Sequence, residues 1–110
     1  MMLTSELSRA VDAVTDAIKQ SREYLEYEKQ KKAVRNDPEA SRLVERARDI
    51  QVRLMNIPEE ECNSDYAESL QNEYEEISEN TSVYEYSRAE SGYVTMIREV
   101  FGTIIENTDL

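Results

Sequence analysis

Histidine and tryptophan are missing from these 110 residues, glycine and proline occur twice each, and there is a single cysteine. Without histidine, a serine or cysteine nucleophile lacks its usual general base, and the glutamate-x-x-histidine ligand pair of di-iron bundles cannot be assembled. Glycine this sparse leaves no phosphate-cradling loop and no nucleophile-elbow turn. The lone thiol, Cys62, cannot form an intramolecular disulfide, and one thiolate cannot hold an iron–sulfur cluster by itself. No run approaches the ~20 apolar residues of a membrane span, and the first residues carry no apolar segment of signal-peptide length. A cytoplasmic protein without membrane insertion is expected. Nowhere do four to eight β-branched residues alternate with polar ones, so no sheet is expected either.

What the chain does have is charge and helix-forming residues. Charged side chains make up 34% of it, and 24 acidic against 13 basic groups leave a net charge of −11. Such a surface repels polyphosphate backbones and anionic lipid alike, so direct nucleic-acid binding is disfavoured. Lys29, Lys31, Lys32 and Arg35 do cluster, but at helical spacing they spread over more than one face beside Glu26 and Glu28, and they read as a solvated charged surface. The length suits one domain, residues 1–110, with a core of moderate size.

Leu7, Val11, Val14 and Ile18 recur at the three-four spacing of a buried helix stripe, which places a first helix over residues 4–20. The phase of the apolar positions changes at Ser21, where Tyr24, Tyr27 and Val34 take over. A serine cap there starts a second helix over residues 22–35. Asn36-Asp37-Pro38-Glu39 stops one helix and starts the next: aspartate caps, proline fits the first turn, and glutamate complements the positive helix end. Ala40, Leu43, Ala47, Ile50, Leu54 and Ile57 then form the clearest core stripe. Pro58, Glu59-Glu60-Glu61 and Cys62 read as a loop, Asn63 or Ser64 as a cap, and Ala67, Leu70, Tyr74 and Ile77 as the stripe of a fourth helix, making a hairpin with the third. Asn80-Thr81-Ser82 caps a fifth helix running to about residue 106. Its stripe is Val83, Tyr86, Tyr93, Ile97, Val100 and Ile104, with Ala89 partly filling the gap left by Glu90.

The expected fold is therefore all-α, an antiparallel bundle of about five helices with a long C-terminal helix. At 1.5 Å per residue the fifth helix spans roughly 38 Å, whereas a compact chain of this size has a radius of gyration near ~13 Å. An apolar stripe of that length outruns what one chain covers, so self-association is expected, with a homodimer the default and higher assemblies open. The expected interface, with a second copy or with another partner, comprises Tyr24, Tyr27, Val83, Tyr86, Tyr93, Ile97, Val100 and Ile104. Seven of the eight aromatic residues are tyrosine, whose ring packs while its hydroxyl tolerates water, as interface and half-buried helix seams require.

No catalytic, cofactor-binding or metal-binding residues are assigned. Carboxylate groups such as Glu23/Glu26, Glu59/Glu60/Glu61 and Glu73/Glu75/Glu76 are routine on acidic helix surfaces, and the calcium-loop spacing is missing. Cys62 lies beside three glutamates, surroundings that oppose thiol reactivity. A chain of this kind acts by binding other proteins. The different-class rivals are a chaperone-like module whose groove holds an amphipathic client segment, and an enzyme using clustered carboxylates with a divalent metal.

Three segments carry a resemblance: the run Ala17-Ile18-Lys19-Gln20-Ser21-Arg22-Glu23-Tyr24-Leu25-Glu26-Tyr27, then Asn36-Asp37-Pro38-Glu39-Ala40, then residues 80–86. In order and spacing the chain resembles the YlbF/YmcA family of competence and sporulation regulators, over roughly residues 11–105. The resemblance implies a helical, cytoplasmic, oligomeric bacterial protein without known enzymatic activity. It further implies a place in a multi-protein regulatory complex promoting competence, sporulation and biofilm formation, linked to the endoribonuclease RNase Y and messenger-RNA processing. Some family complexes hold iron–sulfur clusters on cysteines, including ones near the C-terminus. Residues 101–110 contain no cysteine here, so no cluster is carried over and no cofactor is expected.

Overall fold

In a computed structural model, which describes residues 2–109, the chain folds into five α-helices and, among the described residues, no strand. They are α1 (Ser5–Gln20), α2 (Arg22–Arg35), α3 (Pro38–Met55), α4 (Asp65–Ser78) and α5 (Thr81–Asn107), with a 3-10 turn at Glu59–Glu61 inside the expected loop.

Side-chain caps fix where these helices begin, since the first backbone N–H groups of a helix have no partner within it. The Thr4 hydroxyl accepts from the Leu7 N–H at 3.2 Å. Ser21 serves two helices: its hydroxyl donates to the Ile18 carbonyl at 2.6 Å, closing α1, and accepts from the Tyr24 N–H at 3.1 Å, opening α2. Asp37 Oδ1 accepts from the N–H groups of Glu39 and Ala40, with Pro38 at the first helical position. Ser64 caps α4 through the Ala67 N–H, and Asn80 caps α5 through the Val83 N–H.

The chain divides into two compact units. One is Gln30–Arg88, comprising the end of α2, all of α3 and α4, and the start of α5. Here α3 and α4 pack as the expected hairpin. Ala40, Val44 and Ile50 of α3 are buried with Ala67, Leu70 and Ile77 of α4, and Val34, Val83 and Tyr86 are buried as well. Ile50 has no exposed surface. Side-chain bonds from Arg46 and Arg53 of α3 to Glu73 and Tyr66 of α4 tie the hairpin. The Arg46 guanidinium donates through Nε and Nη2 to both carboxylate oxygens of Glu73, at 2.7 and 2.9 Å, and through Nη1 to Asp49 at 2.8 Å. Asp49 also accepts from Arg53 Nε at 2.9 Å, and Arg53 donates onward to the Tyr66 hydroxyl.

The other unit joins the residues up to Lys29 with those from Ala89 onward, that is α1, the opening turns of α2 and the last two-thirds of α5. It departs from expectation at α1. The stripe that the sequence marks for burial is open to solvent: Leu7, Val11 and Val14 are 54%, 49% and 40% exposed, and only Ile18 is half-buried. No residue of α1 is buried. The periodicity marks an apolar face, but no element of this unit buries it.

Candidate functional site

The expected interface residues fall into two groups. Val83 and Tyr86 lie in the 30–88 unit at 3% and 5% exposure, so a single chain already uses them as interior. Arg48 Nη2 donates to the Tyr86 hydroxyl at 2.6 Å, which holds the phenol at the edge of that interior, and the guanidinium carbon sits 5.8 Å from the ring centroid. These two side chains support the fold from within, and their place in the expected stripe is a consequence of helical spacing alone.

The remaining six lie in the other unit, where the structure brings the tyrosines together. Tyr27 stacks on Tyr93 with ring centroids 4.9 Å apart and planes 8° from parallel, and Tyr24 meets the same ring at 5.9 Å in a tilted arrangement. All three are half-buried. Beyond Tyr93 the α5 stripe opens progressively: Ile97 and Val100 are half-buried, and Ile104 is 47% exposed. Val14 of α1 joins Met96, Val100, Thr103 and Ile104, with one carboxylate, Glu99, in lining an open groove of about 400 Å3.

The expected set also omits part of this face. Val94, Phe101 and Ile105 are 38%, 60% and 49% exposed. At 3.6 residues per turn they form a second line on α5 beside the first, so the apolar sector of its C-terminal half is far wider than a single seam. Their spacing of seven and four was the available signal. Leu7, Val11 and Val14 of α1 add further exposed apolar area, with Val14 meeting Val100 and Ile104 in the groove, and exposed apolar patches mark interaction surfaces.

The electrostatics of the chain are those of helix surfaces. Its hydrogen bond from Arg53 holds the Asp49 carboxyl below its ordinary value, and the bond from Arg46 does the same for Glu73. Arg46 is correspondingly held in its charged form by Glu73. Among the described residues, no three cysteine, aspartate or glutamate side chains come together to hold a metal ion. Cys62 is exposed at the end of the 3-10 turn. No helix among the described residues is long and apolar enough to cross a membrane.

Comparison with known proteins meets this arrangement from another direction. A family model described as control of competence regulator ComK, YlbF/YmcA, matches residues 8–108. Neither a curated protein nor a solved structure gives a significant match. The match covers nearly the whole chain, and the chain belongs to the YlbF/YmcA family of competence regulators.

Proposed function

We propose that this family member acts as a non-enzymatic regulatory adaptor that self-associates and binds other proteins of a YlbF/YmcA-type complex. The observation that carries the reading is the exposed apolar face of α1 and the C-terminal half of α5. Full burial of one aliphatic or aromatic side chain is worth about 1.5–3 kcal/mol, so covering half of each of six or more yields on the order of 5–10 kcal/mol. That is comparable with the ~4–15 kcal/mol lost in ordering two molecules against each other, which makes a reversible dimer the natural occupant of the face. In this reading Tyr93, Ile97, Val100 and Ile104 meet the second copy together with Phe101 and the α1 stripe. Tyr24 and Tyr27 brace Tyr93 from behind.

The downstream role follows from the family: regulation of competence, with the links to sporulation, biofilm formation and RNase Y-dependent messenger-RNA processing belonging to this proposal. A cytoplasmic location is part of the same reading. Phe101 is the side chain that separates assembly from folding, because it contributes little to a single chain at 60% exposure. Replacing it as Phe101→Glu is expected to lower the mass measured by light scattering over a dilution series while leaving helix content by circular dichroism unchanged. Unchanged mass would remove the support for this face. Native purification should return a few stoichiometric partners; a broad client mixture would favour a chaperone-like module instead.

A further inference from the structure

A second feature lies in the 30–88 unit and is built differently. Lys31 and Arg35, one helical turn apart on α2, line a cavity of about 210 Å3 together with Arg48 of α3 and the Tyr86 ring. Its apolar lining is Val34 and Val44, at 7% and 9% exposure. Ser41 and a single carboxylate, Glu45, complete the wall. On a chain with 24 acidic and 13 basic groups, three cations around one cavity run against the overall balance. The solvated charged surface expected of Lys31 and Arg35 has, in the fold, a third cation and two buried valines added to it.

The size and charge of this notch narrow its ligand. Pockets for small molecules and cofactors hold about 300–1,000 Å3, so a notch this small accepts one or two side chains of a larger partner. Arginine and lysine at such a site bind a carboxylate through charge-assisted hydrogen bonds, the guanidinium fork being suited to its two oxygens. A polyphosphate chain would bring many charges against the net −11 of the protein, whereas a short segment brings one or two within contact range of the cations.

We propose that this notch is a docking site for an acidic segment of a partner protein, with an aspartate or glutamate held by Lys31, Arg35 and Arg48. A neighbouring aliphatic side chain rests on Val34 and Val44. The inference rests on the adaptor reading and gives that adaptor's partner a chemistry.

The test is an amide-shift NMR titration of the full chain with a capped peptide of alternating glutamate and leucine. A lysine–leucine counterpart and a short oligouridylate serve as controls. The expected result is saturable shifts centred on residues 31–35 and 41–48 with the glutamate peptide and none with the lysine peptide. Lys31→Glu with Arg35→Glu should weaken binding by about tenfold or more with an unchanged melting curve. Arg35→Gln, which adds no charge at the end of α2, should weaken it less and keeps the test intact if the double variant melts early. Absence of saturable shifts, equal affinity in the variants, or a response to the oligouridylate alone would overturn the proposal. So would a fall in assembly mass in the double variant, which would make the occupant a second copy. Partner recovery separates this idea from its premise. If wild type and double variant recover the same stoichiometric proteins, the adaptor stands and the notch fails. If the glutamate peptide binds as expected while wild type recovers no partner, the notch stands and the adaptor fails.

Discussion

The two units are made of the same material and end differently. Residues 30–88 bring apolar stripes from four helices onto one another, so Val34, Ile50, Leu70, Ile77 and Val83 all fall below 8% exposure. In the unit formed by the two ends of the chain, stripes of equal regularity stay open: Leu7 is 54% exposed and Ile104 47%. The difference lies in how the helices are arranged, not in how much chain each unit holds. A closed hairpin with two further helix segments completes a core, whereas α1, the start of α2 and the last two-thirds of α5 leave apolar faces that a second molecule can cover. The contrast runs along α5 itself, whose first turns supply interior and whose last turns supply surface.

The contrast can be broken or sharpened by substitution. The largest effect is expected at Ile50, where Ile50→Ala removes a side chain with no exposed surface. A loss of about 2–5 kcal/mol should appear in urea unfolding, without prior loss of assembly. Next comes the double change Ile97→Asp with Val100→Asp. If the proposed interface forms there, it would place two unpaired carboxylates in it at a cost of several kcal/mol. Sedimentation should report single copies and circular dichroism a retained helix; unfolding instead would mean that these side chains close the core of one chain.

A smaller effect of opposite sign is expected at Gly102, which lies in the last turns of α5 with open space where a Cβ would stand. It faces away from Tyr93, so Gly102→Ala should stabilise by roughly 0.5–1 kcal/mol through helix propensity and leave the assembly mass alone. A drop in mass would place a partner on that side of α5 too.

The smallest effect concerns the ion pairs of the α3–α4 hairpin. Asp49 and Glu73 titrate lower in the folded chain than when unfolded, held down by Arg53 and Arg46. Their contribution is therefore complete above the ordinary carboxylate range of about 4 and is lost as pH falls through the lower folded values. Arg46→Met should lower the urea midpoint slightly at neutral pH, and its gap from wild type should close as pH falls below the ordinary carboxylate range. A gap that persists in acid would assign the effect to packing of the arginine stem.

Much of the fold was legible in the residues. Ser21, Asp37, Ser64 and Asn80 each place a side-chain oxygen where free N–H groups need one, so the helix starts could be read locally. Likewise Ala40, Ile50, Ala67, Leu70 and Ile77 were marked as core by spacing and are buried. Val44 was missed because it flanks the main stripe. The candidate surface was half legible: the stripe of α5 was visible, but Phe101 and Ile105 sit beside it and were not counted. Nothing in the sequence brings Arg48 to Lys31 and Arg35, because that meeting depends on how α2 and α3 pack.

By itself the sequence determined the helices, their caps, the phase of each apolar face and the excess of negative charge. All of these arise from interactions within a few turns of chain. Tertiary structure alone decided that Val83 and Tyr86 are interior while Phe101 and Ile104 are surface, that three tyrosines share one cluster, and that three cations ring one cavity. The physical reason is that periodicity specifies which side of a helix avoids water, whereas the identity of whatever covers that side depends on residues remote in sequence or on another molecule.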